Sequence, residues 1–249
     1  MTLEEFFKEN KRLALAFSGG VDSAYLLYAG IKYGCDICAF YVKSEFQPQF
    51  EYEDALRLAR ELGAKMKVIE LSVLDDDLVC ENGPKRCYFC KKRIFNSIAE
   101  AAKEAGYGLL ADGTNASDDA GDRPGMQALK ELMVRSPLRE CNLTKQEIRD
   151  LSKEAGLFTW DKPAYACLAT RIPVGSRITG EELTVTEQAE GVLFDMGFSD
   201  FRIRKTGDTA KLQLKKDQLA KLLEQREEVI RRLKPYYKNI TVDLEVRNG

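Results

Sequence analysis

The chain has 249 residues and a formal net charge of −2, and 44% of its residues are apolar while 31% are charged. This composition excludes a disordered or fibrous protein, and the near-neutral charge argues against a dedicated nucleic-acid binder. No apolar run reaches the roughly 20 residues that a membrane span needs, and the acidic N-terminus MTLEEFFKENKR is not typical of a signal peptide. We therefore expect a cytoplasmic protein that does not contact a membrane.

Strands and helices are predicted to alternate along the first part of the chain. The apolar run at 13–17 indicates a strand, and the stretch at 21–33 has the spacing of a helix. This alternation predicts an α/β fold, with a parallel sheet covered by helices on both faces. The further elements expected here are strands at 36–44, 65–71 and within 107–115, helices at 51–62, 91–105 and 124–133, and a helix that starts at a capping box of Thr144 and Glu147 and ends at Gly156.

The alternation stops near Phe158, and the stretch at 160–180 is predicted to be a long loop because it contains two prolines and two glycines. Beyond it, we expect a helix from a second capping box, Thr179 and Glu182, through Met196. Strands at 201–207 and 209–214, a helix at 216–233 and a strand at 240–246 complete a small α+β unit. The predicted organisation is a first domain at 1–165, a linker loop at 166–180 and a smaller C-terminal α+β domain at 181–249.

The stretch AFSGGVDSAYLL at 16–27 lies between the first predicted strand and the first predicted helix. A helix that starts just after a glycine turn presents unpaired N–H groups and a positive dipole end, and both attract an anion. Ser18 and Ser23 add hydroxyl donors, while Asp22 suits a phosphate site only with a divalent cation such as Mg²⁺. The stretch lacks the sequence of a P-loop and of a dinucleotide-binding fingerprint. A tight turn without a ligand is the alternative.

The hexapeptide SGGVDS after a first strand resembles the PP-loop of the N-type ATP pyrophosphatases, and DGTNASDD at 112–119 resembles a second element of that superfamily. These enzymes cleave ATP to AMP and pyrophosphate and adenylate an oxygen of their substrate. The resemblance implies an adenine-nucleotide alpha-hydrolase-like, Rossmann-like fold that binds ATP and Mg²⁺, with Asp22 on the metal. The residues that it assigns to ATP are Ala16, Phe17, Ser18, Gly19, Gly20, Asp22, Ser23, Tyr41, Gly113, Thr114 and Asp118.

Three further stretches, RCYFCKKRIF at 86–95, the segment at 122–157 and WDKPAYACLATRIPVGSRIT at 160–179, resemble the LarE family of ATP-dependent sulfur transferases. The resemblance implies an enzyme of nickel-pincer cofactor biosynthesis for lactate racemase, and a homo-oligomer. It implies that ATP adenylates a carboxylate of a pyridinium dicarboxylate mononucleotide. A sulfur nucleophile then displaces AMP to give a thiocarboxylate. This order is chemically reasonable, because a carboxylate resists nucleophilic attack until it carries a good leaving group, and a thiolate is a strong nucleophile.

The chain contains seven cysteines and no histidine, so imidazole-based triads and histidine-containing zinc sites are excluded. The resemblance places Cys167 at the position of the sulfur donor. It implies either a sacrificial cysteine that becomes dehydroalanine or a [4Fe-4S] cluster on Cys87, Cys90 and Cys167, whose open iron carries an extra sulfide. We favour the cluster. From the residues alone, Cys87 and Cys90 also fit half a zinc site, a redox pair or two buried thiols.

The other cysteines and Lys91 have simpler interpretations. Cys35, Cys38 and Cys141 are expected to be structural, and Cys80 is a candidate spare ligand. Lys91 matches a lysine in the family motif and is expected to hold phosphate or stabilise the charge that builds up on AMP. The alternative for Lys91 is a solvated lysine in the first turn of a helix.

Arginines in the loop and in the C-terminal domain are candidates for substrate binding, because guanidinium groups suit phosphate and carboxylate. The alternative is that arginines on a strand merely face solvent. The family more often has a carboxylate at the position of Gln213 and a histidine near Lys205, and this departure puts a second metal site in the C-terminal domain in doubt. The candidate substrate-binding residues are Arg171 and Arg177 in the loop, to which the family resemblance adds Glu190, Arg202, Arg204 and Arg247 of the C-terminal domain.

Other functions also fit the sequence. A tRNA thiolase would share the nucleotide half of the chain but would need a larger basic surface. A non-enzymatic module would bind ATP without releasing pyrophosphate, and an iron–sulfur or zinc structural protein would hold metal without turnover.

Overall fold

The computed structural model of the chain describes residues 1–118 and 124–247. Asp119, at the end of the DGTNASDD element, Asp122 and Arg123, at the start of the 122–157 stretch, and residues 248–249 of the predicted C-terminal domain lie outside the described residues. The chain divides into two compact units. The first comprises Met1–Val73 and Lys85–Lys162, and the second comprises Leu74–Pro84 and Pro163–Gly249. The predicted domain limits stay predictions, since a compact unit need not fold alone.

Helices and strands alternate through most of the first unit. In chain order, the elements of the described residues are α1 (Leu3–Glu9), β1 (Arg12–Ala16), α2 (Val21–Lys32), β2 (Asp36–Lys43), α3 (Gln49–Glu61), β3 (Lys65–Glu70), α4 (Asp77–Cys80), α5 (Arg86–Glu104), β4 (Leu110–Ala111), α6 (Pro124–Glu131), α7 (Pro137–Glu140), α8 (Lys145–Glu154), a 3₁₀ turn (Leu168–Arg171), α9 (Gly180–Asp195), β5 (Arg202–Thr206), β6 (Thr209–Gln213), a 3₁₀ turn (Lys216–Gln218), α10 (Leu219–Glu224), α11 (Arg226–Leu233) and β7 (Asn239–Val242).

The first unit is built on a parallel four-stranded sheet with the order β3-β2-β1-β4. Successive side chains of β1 point to opposite faces. Leu13 and Leu15 join an apolar cluster with residues of α1, α2 and α8, whereas Ala14 joins a second cluster that includes Ile98 and Ala102 of α5. The predicted α/β fold, with a parallel sheet between helices, is confirmed. Burial of both faces explains why β1 and β2 are continuous apolar runs rather than alternating ones.

The second unit has its own three-stranded sheet, in the order β5-β6-β7. Strands β5 and β6 are antiparallel, and β6 and β7 are parallel. Its core contains Leu193 of α9, Ile203 and Leu212 of the sheet, and Leu222 and Leu233 of the last two helices. The predicted separate α+β sheet is therefore present.

Several elements differ from their predicted bounds. Helix α5 begins at Arg86 rather than at Lys91, because Tyr88 and Phe89 continue the spacing of its half-buried face, so the cysteine pair lies in its first turn. The helix predicted at 216–233 is interrupted at Gln225, whose backbone ends α10 and precedes α11. The second capping box forms only in part, because the carboxylate of Glu182 pairs with Lys205 at 2.5 Å.

Helix α1 was not predicted, although its signals are present in the sequence. Thr2 and Glu5 form a complete capping box before it, and Leu3, Phe6 and Phe7 are buried. The capping box of Thr144 and Glu147 formed as predicted before α8. None of the helices in the part of the chain that the structure describes is long and apolar enough to cross a membrane.

Candidate functional site

The glycine turn, Ser18 to Gly20, connects β1 to α2 in the first unit. Phe17 donates its N–H to the Phe40 carbonyl at 2.9 Å, which continues the sheet up to the turn. Gly19 has a φ of +74°, and a Cβ at that position would lie 3.1 Å from Cβ of Ala55 on α3. Both the backbone angle and the close approach therefore favour glycine. Gly20 precedes α2 and makes no side-chain cap, so the turn leaves the N-terminal end of a twelve-residue helix open to an anion.

The two serines of the turn contact each other. Their Oγ atoms lie 3.1 Å apart, and Ser23 Oγ also bonds to the Gly20 carbonyl at 3.1 Å and accepts from the Ser18 N–H at 3.3 Å. These hydroxyls, predicted as phosphate donors, form hydrogen bonds with each other and with the backbone of the turn in this structure.

Asp22 lies in the first turn of α2 and has two partners in other parts of the first unit. Lys145 Nζ lies 2.5 Å from Asp22 Oδ2, and Asn115 Nδ2 donates to Oδ1 at 3.2 Å. Lys145 is the first residue of α8, and its own N–H donates to Ser117 Oγ at 2.9 Å. Lys145 was not predicted as a site residue, because nothing in a capping box indicates which distant group the next side chain will reach.

The DGTN element lies against the start of α2, directly after the glycine turn. A Cβ at Gly113 would be only 2.9 Å from the backbone nitrogen of Ser23, so this glycine permits direct contact with the start of α2. The Asp112 carboxylate shapes the loop by accepting from the Thr114 N–H at 3.1 Å, from its hydroxyl at 2.6 Å and from Ser136 Oγ at 2.8 Å. Asp118 Oδ2 accepts from the N–H of the buried Asn115 at 2.9 Å.

Tyr41 lies near the end of β2, with its ring 5.4 Å from that of Tyr52. Its side chain is buried, and its hydroxyl has no hydrogen-bond partner among the described residues. Burial and the neighbouring Glu51 raise the pKa of this hydroxyl. Tyr41 therefore offers a protonated donor that is not used within this part of the chain.

Cys87 and Cys90 share the first turn of α5 in the first unit, where Cys87 is exposed and Cys90 is half-buried. The buried Arg86 donates to Cys87 Sγ at 3.6 Å. Lys91 runs beside α6, since a Cβ at Gly125 would lie 3.0 Å from Lys91 Cδ. Because Cys87 and Cys90 are three residues apart in α5, they lie on the same side of this helix.

Cys167 belongs to the second unit, where it immediately precedes the 3₁₀ turn Leu168–Arg171. Its carbonyl accepts from the Thr170 N–H at 3.0 Å and from the Thr170 hydroxyl at 2.9 Å. Cys167 as a residue is partly exposed, and these two bonds fix its backbone. Within the described residues of either unit, no group of three cysteine or carboxylate side chains is arranged to hold a metal ion.

Arg171 holds this loop from within. Its guanidinium is fully buried and forms two bonds to Glu190, from Nε to Oε1 at 2.8 Å and from Nη2 to Oε2 at 2.9 Å, while Nη1 donates to the Ala166 carbonyl at 2.6 Å. Burial lowers the pKa of Arg171, but pairing with Glu190 outweighs it and the net shift is upward. Tyr165 also donates to Glu190, and Ile203 N–H of β5 donates to Glu190 Oε1 at 2.9 Å. Both members of this predicted substrate-binding pair thus bind protein atoms.

A group of arginines lies next to this pair. Burial, with the charges of Arg247, Arg171 and Arg204, lowers the pKa of Arg202 to about 10. Burial and the neighbouring guanidinium groups also lower the pKa of Arg204. Arg204 bonds to Gln213 Oε1 at 3.0 Å and to the Thr170 carbonyl. The second unit therefore concentrates positive charge where a bound anion would relieve mutual repulsion.

Two further candidate substrate-binding residues, Arg247 and Arg177, each form an ion pair with an aspartate of the second unit. Arg247 pairs with Asp200 at 3.0 Å, whereas Arg177 pairs with Asp77 at 2.6 Å on an exposed surface of the second unit. Gln213 Nε2 donates to Asp243 Oδ2 at 2.8 Å, so it links a carboxylate to Arg204.

Burial raises the pKa of Cys35 to about 11 and also raises the pKa of Cys38 and Cys141, which agrees with their structural interpretation.

Comparison with known proteins relates the whole chain to a small set of relatives. It is 32% identical to the pyridinium-3,5-bisthiocarboxylic acid mononucleotide synthase of Lactiplantibacillus plantarum, over 98% of this chain and 89% of that protein. It is 35% identical to an uncharacterized protein of Synechocystis, over 89% of this chain and 83% of the relative. A tRNA-specific 2-thiouridylase of Clostridium botulinum is 29% identical, over 60% of this chain and 52% of its own length.

No family model matches the chain. The identity to the Lactiplantibacillus synthase nevertheless extends over almost all of both proteins, and the 2-thiouridylase similarity supports the wider PP-loop superfamily. The chain therefore belongs to the LarE family of ATP-dependent sulfur transferases.

Proposed function

We propose that this protein adenylates a carboxylate of a pyridinium dicarboxylate mononucleotide and replaces a carboxylate oxygen with sulfur, as a step in the synthesis of the nickel-pincer cofactor of lactate racemase. The observation that carries the proposal is the relative named pyridinium-3,5-bisthiocarboxylic acid mononucleotide synthase, which is similar over 98% of this chain. The tRNA thiolases are a weaker alternative, since their similarity covers 60% of the chain.

ATP would bind at the glycine turn of the first unit. Gly19 lets the turn approach α3, and Gly113 lets the DGTN element approach the start of α2. The helix N–H groups and the helix dipole at this end of α2 favour phosphate. The buried Tyr41 hydroxyl, which has no hydrogen-bond partner in the described residues, is a suitable donor to the nucleotide. Thr114 and Asp118 shape the loop beside the turn, and Lys91 is assigned to phosphate on the basis of the family motif.

Asp22 fits a magnesium site, because Mg²⁺ is held by one or two carboxylates together with substrate phosphates. Its carboxylate lies in the first turn of α2, beside the proposed phosphate position, and already attracts the ammonium of Lys145. A bound Mg²⁺ would neutralise phosphate charge during adenylation. The Lys145 ammonium would have to leave Asp22 Oδ2 or share it with the metal.

The reaction has two bond exchanges. In the first, a substrate carboxylate oxygen attacks the α-phosphorus of ATP, the bond to pyrophosphate breaks, and an acyl adenylate forms. In the second, sulfur attacks the acyl carbon, the bond to the AMP oxygen breaks, and a carbon–sulfur bond forms. Where the sulfur is Sγ of Cys167, its Cβ–Sγ bond then breaks with loss of the Cα proton, which leaves dehydroalanine in the chain and releases the thiocarboxylate. A sulfide carried by a cluster would give the thiocarboxylate without breaking a bond of the chain. The arginines of the second unit, Arg202, Arg204 and Arg247, are suited to hold the phosphate and the second carboxylate of the substrate.

Cys167 is assigned to the sulfur transfer, as a ligand of a sulfide-carrying cluster or as the sulfur donor itself. The Arg171–Glu190 pair fixes the backbone on which Cys167 stands, so we assign both residues a positioning role in addition to any substrate contact. Cys87, Cys90 and Cys167 are the residues that would hold a [4Fe-4S] cluster, since the first two share one helical turn and are not deeply buried. Such a cluster would supply an exchangeable sulfide at its open iron and so allow repeated turnover. A homo-oligomer and a cytoplasmic location remain predictions.

The decisive experiment compares wild-type protein with Cys167→Ala in the presence of the mononucleotide, Mg²⁺ and ATP. We expect Cys167→Ala to bind ATP normally and to release pyrophosphate but to form no thiocarboxylate, because only the second bond exchange needs the sulfur. Pyrophosphate and the product mass are measured in the same samples. Cys141→Ala is the matched control and should form product at the wild-type rate. Thiocarboxylate formation by Cys167→Ala would contradict the assignment of Cys167 to the sulfur transfer.

A further inference from the structure

We propose that Asn82 is a positioning residue that holds the loop carrying Cys167 and thereby directs the activated substrate toward sulfur rather than water. This inference rests on the proposed function. Asn82 lies in Leu74–Pro84, a segment that follows β3 of the first unit in sequence but belongs to the second unit.

The side chain of Asn82 is completely buried and crosses to the loop after Cys167. Its Nδ2 donates to the Pro173 carbonyl at 2.8 Å and to the Ile172 carbonyl at 3.4 Å. The Asn82 carbonyl accepts from the Gly175 N–H at 2.9 Å. One asparagine therefore uses both its side chain and its backbone to fix the stretch that follows Arg171.

The backbone conformation at Asn82 and the helix before it support this contact. Asn82 has a φ of +55°, a left-handed conformation that asparagine tolerates better than most residues do. The short helix α4 leads into it, and the Cys80 carbonyl accepts from the Ile178 N–H at 2.8 Å. The segment thus contacts the loop at 172–175 and again at Ile178, which is more than a single chance hydrogen bond would provide.

These contacts complement the Arg171–Glu190 pair. Arg171 fixes the loop at the Ala166 carbonyl, on the N-terminal side of the sulfur donor, and Asn82 fixes it immediately after Arg171. Transfer to an activated acyl group needs the nucleophile within about 3–3.5 Å of the carbon, and a displacement of about 1 Å can reduce the rate about a hundredfold. Water competes for the same acyl adenylate, so a loosened loop should uncouple ATP cleavage from sulfur transfer.

The test is the amount of thiocarboxylate formed per pyrophosphate released in a single turnover of anaerobically purified, full-length protein. Asn82→Asp keeps the size of the side chain but replaces the donor with an oxygen that faces two carbonyl oxygens. We expect pyrophosphate release within about twofold of wild type and a fall of about tenfold or more in product per pyrophosphate. Asn142→Asp is the matched control, because Asn142 also has a positive φ, of 56°, but is exposed. Its ratio should stay at the wild-type value.

A second variant and a second measurement keep the inference separate from folding defects. Asn82→Gly allows the positive φ but removes the amide, and it should show the same uncoupling. Trypsin should cleave after the exposed Arg177 faster in both Asn82 variants than in wild type, whether or not the substrate is present. An unchanged ratio, or a proportional loss of both products, would overturn the positioning role. Absence of pyrophosphate release by wild-type protein would instead overturn the proposed function.

Discussion

The carboxylate of Asp22 binds two side chains in this structure, and the proposed Mg²⁺ would have to displace them or share the carboxylate with them. In this structure it contacts the Lys145 ammonium at 2.5 Å and the Asn115 amide at 3.2 Å. An ammonium and a divalent cation repel each other, so both cannot occupy the same carboxylate oxygen without a cost. Lys145 is therefore a competitor for the proposed metal.

We expect Lys145→Met to lower the Mg²⁺ concentration that half-saturates ATP binding. The pair is partly exposed, with 34% and 22% of the two side chains accessible, so its contribution is about 1 kcal/mol or less, which corresponds to a shift of about fivefold at most. Equilibrium dialysis with ATP over a range of Mg²⁺ concentrations measures the shift without turnover. Lys145→Arg should stay close to wild type, as should Lys153→Met on the same helix. A higher Mg²⁺ requirement in Lys145→Met would contradict the competition.

Arg171 and Glu190 illustrate what a sequence does not reveal about single residues. The guanidinium of Arg171 suggested contact with an anionic substrate, and the family resemblance suggested a substrate role for Glu190. The accessible fraction of each side chain is no more than 1%, and each binds the other. Arg171 also binds the Ala166 carbonyl, and Glu190 also binds Tyr165 and Ile203 of β5. Glu190 is 19 residues from Arg171 and 25 residues from Tyr165 in sequence. Burial of a charge depends on tertiary packing, so no local motif could have predicted it.

Local signals at the level of helices and strands were more informative. The apolar runs of β1 and β2, the glycine turn and the capping box before α8 are short-range features, and the sequence alone predicted each of them. The start of α5 was predicted five residues too late, at Lys91, although Tyr88 and Phe89 continue the helical spacing. Helix ends depend on packing as much as on local propensity.

The contact between the DGTN element and α2 depends on the absence of a side chain at Gly113. In Gly113→Ala, the added methyl group would lie 2.9 Å from the Ser23 nitrogen, so either the loop or the start of the helix must move. We expect a loss of about 1–3 kcal/mol of unfolding free energy and weaker ATP binding. Urea unfolding and ATP titration measure the two effects. Gly156→Ala is the control for glycine removal, since it has a positive φ but no close neighbour, and it should lose stability while retaining ATP affinity.

For the whole molecule, the two alternatives for sulfur supply differ in the number of turnovers. A sacrificial Cys167 lets each chain react once, whereas a cluster that carries sulfide lets it react repeatedly. We expect anaerobically purified protein to contain about four iron atoms per chain, as a [4Fe-4S] cluster requires, and Cys87→Ala to lose both the iron and repeated turnover. Iron and sulfide analysis and the visible absorption spectrum check this expectation. Cys35→Ala should retain the iron, because that thiol is buried away from α5. Wild-type protein that is free of iron but active for one turnover would favour donation from Cys167 itself.

The path of the chain between the two units limits how the protein can be divided. The backbone leaves the first unit after Val73, contributes Leu74–Pro84 to the second, and returns at Lys85 before its last crossing at Pro163. Any truncation that removes everything before Pro163 also removes Asn82 and the short helix α4. Recombination at one junction therefore cannot transplant the second unit intact onto another protein.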